Sequence, residues 1–485
     1  MMEPAIVNND SKSTIMARMC CWPQDMSKSL IANVVTLLGM TKKLAKDDPR
    51  RVIYSLKVGL ALTLVSLFYY FQPLYNTFDD SATWAIITVV VVFEYTVGAT
   101  LVKGLNRAMG TFLAVALAAG TNHLASLFGN IGEAILIGLF VFIFATTSTF
   151  IRFFPKIKRR YDYVFLIFIL TFSFISVLGF REETHIIEIA HKRMSTVAIG
   201  IVVTVLINIL IYPIWAGQEL HNSIALNMEK IGQCLQGFGA VYMRTDGEAK
   251  SKDTSKSYFQ GYQSVLHSKS SEETLANFAR WEPPHGQFRY RHPWNKYVKL
   301  GFLSRQCAYR IDALKAYCNL DIKLTQKFQE EIKEACIKMS LESGNALKEL
   351  SVCVREMKYP SSLVNAHICS SKAELETLKT LLKSISLYNN TKSNQQSEVL
   401  IQTIPMVTVV YLLTDIVDYT EKMAATTYEL ATIACLGKSK VMNAAEVSPK
   451  KSANNFDETN NQPTNQLILI TIAEQSDMTA NSLYN

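Results

Sequence analysis

The sequence contains no nucleotide-binding loop of the GxxxxGK[ST] type, and its nine cysteines form no CxxC pair. The first absence excludes an ATP-driven pump built around such a loop. The second leaves scattered free thiols in a reducing compartment as the simplest interpretation. The first 50 residues hold no apolar stretch followed by a small-residue cleavage site, so we expect no signal peptide and a cytosolic N-terminus.

Long apolar runs are concentrated between residues 52 and 214, although hydrophobic residues make up 49% of the whole chain. A run of about 18 or more apolar residues crosses the roughly 30 Å of membrane hydrocarbon as a helix. The sequence therefore predicts an all-α membrane protein, with six transmembrane helices followed by a cytosolic helical domain. The six runs are residues 52–72, 83–101, 108–128, 131–150, 162–180 and 194–214.

Basic residues in the short connections predict the orientation in the membrane. Lysine and arginine are frequent before the first run and in the second and fourth connections, and are missing from the first and third. Because basic connections stay in the cytosol, both chain ends are expected there. The fifth connection departs from this alternation, since Lys192 and Arg193 fall on the expected outer side. The formal net charge of +8 is thus explained by topology, and no nucleic-acid partner is expected.

The remaining sequence divides into regions of different composition. Apolar residues recur at three- and four-residue spacing after residue 215, which predicts helices, whereas the last 45 residues are rich in Asn, Ser and Thr and predict a disordered tail. The predicted regions are a cytosolic N-terminal segment (1–50), a six-helix transmembrane domain (51–215), a cytosolic helical domain (216–440) and a disordered C-terminal tail (441–485).

Lys57 and Glu94 are ionisable residues inside predicted spans, where a charge costs at least a few kcal/mol. Lys57 follows the start of the first run by five residues, and Glu94 lies at a matching depth in the second. Lys57 either extends to the inner headgroups or faces a path for anions. A buried pair of Lys57 with Glu94 is geometrically possible, either as a structural contact or as a means of tuning the field of Lys57.

Further cations lie where the runs end. Lys103 and Arg107 are four residues apart, so a helix presents both on one face, and this repulsion indicates either an anion site or two anchors at the inner interface. Arg152 ends the fourth run and begins a basic cluster, which indicates a cationic vestibule or a surface for anionic lipids. Trp84 and Trp215 lie at opposite predicted interfaces, where tryptophan usually anchors a helix.

The segment WEPPHGQFRYRHPW carries several polar groups but no catalytic pattern. His285 and His292 are seven residues apart, which matches no zinc-ligand spacing, and no nucleophile motif lies nearby. We interpret the segment as a rigid turn between helices in which Arg289 or Arg291 pairs with Glu282, with ligand sensing as the alternative. The residues assigned to this structural coupling are Trp281, Glu282 and Pro283.

Five long motifs, in order, resemble the plant aluminium-activated malate transporter family over residues 45–440. They are DDPRRVIYSLKVG (47–59), WAIITVVVVFEYTVGATLVKGLNRAMGT (84–111), FIRFFPKIKRRYDY (150–163), YPIWAGQELH (212–221) and WEPPHGQFRYRHPW (281–294).

This resemblance implies a dimeric anion channel in the lipid bilayer that passes malate, and often chloride or nitrate, without pumping, enzymatic activity or a cofactor. It also implies that Lys57 and Arg107 line the permeation path, with Trp84 and Glu94 near it. We include Lys103 and Arg152 among the anion-binding candidates. The plasma membrane is favoured over the vacuolar membrane as the location.

The resemblance also indicates regulatory positions. The family carries a motif that bears on sensitivity to γ-aminobutyrate where this chain has Tyr212, Pro213 and Trp215. In members activated by aluminium, outer carboxylates are the expected ligands, because a hard cation prefers oxygen. The outer acidic residues are Asp79, Asp80, Glu182, Glu183 and Glu188, and ordinary solvated loops explain them equally.

Two other functions stay open at this point. A secondary carboxylate transporter usually needs titratable groups at the membrane midplane, for which Glu94 is the clear candidate. A membrane-anchored scaffold that binds partners through its cytosolic helices predicts no transport.

Overall fold

A computed structural model describes residues 32–71, 83–181, 186–242, 261–289, 291–317, 326–390 and 396–435. Within these ranges all the regular elements are helices, apart from one isolated bridge between His285 and Phe288, which agrees with the predicted all-α class. The predicted disordered tail, residues 441–485, lies outside the described residues.

The first seven helices of the described chain form the apolar half. They are α1 (32–47), α2 (Pro49–Tyr70), α3 (Thr83–Val92), α4 (Val97–Ala125), α5 (Gly129–Ile151), α6 (Pro155–Arg181) and α7 (Ile186–Leu210). Five segments are long and apolar enough to cross a membrane: Pro49–Phe68, Val97–Phe128, Ile131–Ile151, Arg160–Phe180 and Ile187–Leu210. We call α2–α7 the membrane domain.

The second and third predicted spans differ from the structure. Hydropathy predicts helices at 83–101 and 108–128, but the chain breaks at residues 93–96 and then continues as α4 from Val97. Thr96 produces this break, because its backbone is extended and its side chain accepts a hydrogen bond from the backbone N–H of Ala99, as an N-cap does. The 10-residue helix α3 is about 15 Å long, shorter than the hydrocarbon layer.

Helices α3 and α4 form an antiparallel hairpin around this break. A Cβ on Gly104 of α4 would lie 3.5 Å from Val92 of α3. One turn further along α4, Arg107 donates a hydrogen bond to Thr88, which lies one turn earlier in α3. Lys103 and Arg107 therefore lie inside a transmembrane helix, and the predicted connection between residues 101 and 108 is wrong. Residues 93–96 form the turn of the hairpin.

The start of α7 also differs from the predicted sixth span, which begins at residue 194. The helix begins at Ile186, so Glu188, Lys192 and Arg193 belong to its first turns instead of an outer connection. Helix α7 packs against α2, α3 and α4, and a Cβ on Gly200 would lie 2.7 Å from Thr88. This close approach is what places polar groups of three helices together.

In the part of the chain after the membrane domain that the structure describes, seven helices form the C-terminal helical domain. They are α8 (Ala216–Tyr242), α9 (Gly261–Leu266), α10 (Lys269–Ala279), α11 (Trp294–Tyr317), α12 (Gln326–Glu356), α13 (Ser362–Asn390) and α14 (Gln396–Cys435). They surround one large apolar core, which includes Ile224, Met228, Leu300, Leu347 and Ile416, each almost fully buried. Apolar spacing of three and four residues predicted these helices, since that spacing places one stripe toward a core.

Candidate functional site

Arg107 occupies the interior of the membrane domain. It lies ten residues beyond the start of α4, about 15 Å along the helix, and is 3% exposed. Its Nε donates to the hydroxyl of Thr88 at 3.0 Å, and Nη1 donates to the hydroxyl of Tyr163 at 3.3 Å. Both partners are uncharged, so these contacts orient the guanidinium without compensating its charge.

A second buried cation, Arg193, approaches from α7. Its guanidinium carbon lies 3.0 Å from the ring centroid of Trp84 and 5.2 Å from that of Phe174. Its Nε and Nη1 are buried and make no hydrogen bond with the described residues. The charges of Arg193 and Arg107 repel each other. The membrane domain thus holds two cations that neutral and aromatic groups orient.

Lys57 belongs to a third polar group, near the turn of the hairpin. Its side chain is buried, and Nζ donates to the side-chain oxygen of Asn208 at 3.0 Å. The amide nitrogen of Asn208 donates to the hydroxyl of Thr100 at 2.7 Å and to the backbone carbonyl of Glu94 at 3.1 Å. The amide of Asn208 therefore holds Lys57 inside the protein, and Lys57 does not extend to the headgroups.

The carboxylate of Glu94 pairs with Lys103 across the hairpin turn. The side-chain pair between Lys57 and Glu94 considered from the sequence is therefore wrong, because the break after α3 turns Glu94 toward α4. The two side chains of this pair are partly exposed. Lys103 thus has a charged partner of its own, unlike Arg107.

Arg152 also has its charge compensated. Its Nε and Nη2 donate to the two carboxylate oxygens of Asp162 at 2.8 and 3.1 Å, a two-point contact between the end of α5 and α6. Lys156, Lys158 and Arg160 are exposed on the same end of α6. The positive charge of the surface expected here therefore comes from Lys156, Lys158 and Arg160 more than from Arg152.

Most of the outer acidic candidates lie outside the described residues, namely Asp79, Asp80, Glu182 and Glu183. Glu188 is described, and its carboxylate lies 2.9 Å from Nζ of Lys192 one helical turn later. Among the residues that the structure covers, three or more potential metal ligands are nowhere grouped together.

The junction of the two domains is built around Glu282. One carboxylate oxygen accepts hydrogen bonds from the backbone N–H groups of Gly98 (3.1 Å) and Ala216 (2.6 Å), and the other accepts from Gly217 at 3.0 Å. The side chain is 1% exposed, and burial raises the pKa of its carboxyl group. Since Gly98 begins α4 and Ala216 begins α8, one carboxylate caps a helix of each domain.

These amides replace the pairing of Glu282 with Arg289 or Arg291 that the sequence suggested. Helix N-termini have unsatisfied N–H groups that favour an anion, which is why a carboxylate fits there without a cation. Trp281 and Pro283, the neighbours assigned to the same coupling, are both exposed. We call the contact of Glu282 with Gly98, Ala216 and Gly217 the junction clamp.

The Tyr212–Trp215 motif lies directly beside the junction clamp. Tyr212 is exposed and has φ 43°, a left-handed conformation that is uncommon for a bulky residue. The indole of Trp215 stacks on the imidazole of His285, with ring centroids 3.9 Å apart and planes at 10°. Pro213 lies between Tyr212 and Trp215 and is exposed. The motif therefore contacts the turn that carries Glu282.

Two buried histidines share one hydroxyl behind that turn. Nδ1 of His221 lies 3.0 Å and Nε2 of His292 lies 3.2 Å from the hydroxyl of Tyr297. Burial lowers the pKa of His221, lowers that of His292 to about 4, and raises that of Tyr297. All three groups are therefore neutral at pH 7 and act as hydrogen-bonding parts of the core.

Sequence reasoning did not assign four residues that complete these sites: Thr88, Tyr163, Asn208 and Arg193. The only signal for Arg193 was its place against the alternation of basic connections. Hydroxyl and amide side chains are common in transmembrane helices. Their partners depend on helix packing, which one sequence does not show.

Comparison with known proteins places the chain among transporters. The family model described as aluminium activated malate transporter matches residues 42–479. The chain is 48% identical over 424 residues to aluminum-activated malate transporter 2 of Arabidopsis thaliana, covering 86% of this chain and 83% of the relative. It is 47% identical over 398 residues to transporter 1 of the same plant, covering 81% and 78%. It is 40% identical over 402 residues to transporter 1 of Triticum aestivum, covering 80% and 84%.

Proposed function

Because the chain belongs to the aluminium-activated malate transporter family, and is thus a multi-pass membrane protein of a transporter family, we propose that it is a passive anion channel for malate, chloride and nitrate. One observation carries this proposal: Arg107 and Arg193 are buried in the membrane domain and held by hydroxyl and aromatic groups. Neutral partners leave the positive charge available to a passing anion.

Electrostatics supports this assignment. A cation inside the membrane is costly, and its usual settings are a charged partner, a carbonyl group or a water-filled path. A path lined by fixed cations attracts small anions but discriminates weakly among them. We therefore assign Arg107 and Arg193 to the permeation path, with Trp84 covering one face of Arg193.

The other candidates take supporting roles in this proposal. Lys57 lines the inner part of the path, held by Asn208. Lys103 and Glu94 form a salt bridge at the entrance of the path, where the charge of Glu94 weakens the electric field of Lys103. Arg152 contributes to a cationic vestibule on the cytosolic side together with the exposed lysines of α6.

The proposed topology has six crossings, with α3 in the second crossing and α4 in the third. It keeps the regions predicted from sequence: a cytosolic N-terminal segment, a membrane domain, a cytosolic helical domain and a tail. Both chain ends lie in the cytosol, two copies form a homodimer, and the plasma membrane is favoured over the vacuolar membrane.

Regulation is proposed at two places. The outer acidic residues Asp79, Asp80, Glu182, Glu183 and Glu188 are candidates for sensing aluminium. The Tyr212–Trp215 motif is a candidate for sensing γ-aminobutyrate, supported by the stacking of Trp215 on His285 beside the junction clamp.

The alternative is a secondary carboxylate transporter that exchanges protons or anions. Its candidate titratable group was Glu94, which pairs with Lys103 near the inner turn of the hairpin. A group in an ion pair at the end of a helix is a poor midplane proton carrier. The channel is therefore the better-supported function.

Voltage clamp of oocytes that express the full chain tests the proposal. With malate injected, we expect inward current from malate efflux, and reversal potentials that follow the gradients of chloride or nitrate when these are varied outside. Current that needs a proton gradient would favour the carrier instead. No current despite confirmed surface protein, with aluminium both absent and present, would contradict a plasma-membrane channel.

A further inference from the structure

A cavity of about 230 Å³ lies in the C-terminal helical domain, and Glu282 of the junction clamp forms part of its wall. Its wall includes three arginines, Arg280, Arg289 and Arg291, and one acidic residue, Glu282. The carboxylate of Glu282 is already occupied by three backbone amides. The lining therefore carries an excess of positive charge.

The polar groups of the cavity fit an oxyanion. Arg280 and Arg289 are exposed, and Arg280 also contacts Asn295. The imidazole of His285 is oriented by Nδ1, which lies 2.9 Å from the carbonyl oxygen of Pro283. Its Nε2 is buried, lies 4.0 Å from Glu282, and makes no hydrogen bond to the part of the chain that the structure describes. An oxyanion could accept a hydrogen bond from this nitrogen when the nitrogen carries a proton.

The size of the cavity limits the ligand. Pockets for drug-sized molecules measure about 300–1,000 Å³, so this one takes a smaller compound. Two or more guanidinium groups favour a ligand with several acidic oxygens, because each can form two parallel hydrogen bonds with a carboxylate or phosphate.

We infer that this cavity is a binding site for a small dianion bearing carboxylate or phosphate oxygens, held by Arg280 and Arg289 with His285 at its base. The inference goes beyond the proposed transport and does not depend on it. Because the cavity shares Glu282 with the junction clamp, a bound dianion contacts the turn that joins the two domains.

Isothermal titration calorimetry on the full chain in detergent tests the site. The probes are succinate, inorganic phosphate and, as a neutral analogue, succinamide. We expect succinate or phosphate to bind and succinamide not to bind, and the stronger of the two anions identifies the ligand class. Arg289→Gln and Arg280→Gln should each weaken binding about tenfold or more, the loss of one charge-assisted contact.

Two control variants make the result specific. Lys383→Gln removes an exposed charge from α13, away from the cavity, and should bind as the unchanged chain does. Arg107→Gln alters the proposed permeation path and should also keep this binding. Unchanged binding in both cavity variants would overturn the site, and so would loss of the binding in Arg107→Gln alone.

Discussion

Single residues of the membrane domain hold their charges in two different ways. Lys103 and Arg152 pair with acidic side chains, whereas Arg107 and Lys57 bond to hydroxyl and amide groups. A salt bridge cancels much of a cation's field at a distance, and a neutral partner does not. Arg107 and Lys57 therefore offer a stronger electric field to an anion than Lys103 and Arg152 do.

Replacing Arg107 with glutamine is expected to abolish most of the anion current. The variant removes a buried charge and keeps a donor for Thr88 or Tyr163, so surface expression should survive. Lys383→Gln, which removes an exposed cation from α13 of the C-terminal helical domain, is the control and should change the current by less than twofold, about 0.4 kcal/mol. Voltage clamp with surface labelling measures both, and normal current in Arg107→Gln would remove this residue from the path.

Charged residues were the part of the site that the sequence could predict. Lys57 and Arg107 are visible because charge is rare near apolar runs, and Arg193 is visible because it departs from the alternation of basic connections. The partners Thr88 and Asn208 were not predictable, since their positions depend on how α3, α4 and α7 pack.

At the scale of helices, the hairpin of α3 and α4 is the element that hydropathy describes least well. The break at 93–96 contains neither proline nor glycine. A hydropathy average over a window of residues therefore stays high across it and predicts one continuous helix. The one local signal is Thr96, because threonine is a common N-cap residue. Threonine is also common among β-branched residues of apolar helices, so this signal does not identify a helix start. The other long helices were predicted well because they are continuous apolar runs.

Gly98 is the point where this hairpin touches the C-terminal helical domain most closely. A Cβ at Gly98 would lie 2.5 Å from the carbonyl oxygen of Phe278 and 2.9 Å from a carboxylate oxygen of Glu282. Gly98→Ala should therefore lower the free energy of unfolding by about 1–3 kcal/mol, as overpacking does. Thermal unfolding followed by tryptophan fluorescence measures the change.

Gly120→Ala is the matched control in the same helix. No atom lies within 4 Å of a Cβ at Gly120, and alanine is the better helix former by about 1 kcal/mol. Its unfolding temperature should rise or stay unchanged. Equal effects of the two substitutions would show that Gly98 has no special role in the contact between the domains.

At the scale of the whole molecule, polar contacts as well as chain continuity join the membrane domain to the C-terminal helical domain. The junction clamp caps α4 and α8 with one carboxylate, and Arg50 at the start of α2 pairs with Glu219 of α8 at 2.6 Å. The sequence indicated that the WEPPHG turn couples helices through Glu282, but it suggested arginine partners. It could not show that the donors are backbone amides, because backbone amides have no sequence signature.

Stability should fall as the pH is lowered, because His292 is neutral in the folded protein. Its pKa is lowered to about 4 by burial, against an ordinary 6.5. The contribution of this residue is fully present above pH 6.5 and is lost as the pH falls toward 4, since the unfolded chain binds the proton first. The expected loss is about 2 kcal/mol by pH 5.

Thermal unfolding at pH 7.5 and pH 5 tests this dependence. His292→Gln keeps a hydrogen-bonding group for Tyr297 and removes the titration, so its loss between the two values should be smaller. His221, whose pKa burial also lowers, accounts for the part that remains. An identical pH dependence in the unchanged chain and in His292→Gln would rule out this role for His292.

The junction clamp has a consequence for biogenesis. Gly98 donates its N–H to a residue that is synthesised 184 positions later. At about 5–20 residues per second, translation takes roughly 10–40 s to cover that distance. During this interval the first turn of α4 is already at the membrane without its cap, exposed to water, lipid headgroups or chaperones. Helix α4 therefore completes the hydrogen bonding of its first turn only after residue 282 has been synthesised, well after the membrane domain itself.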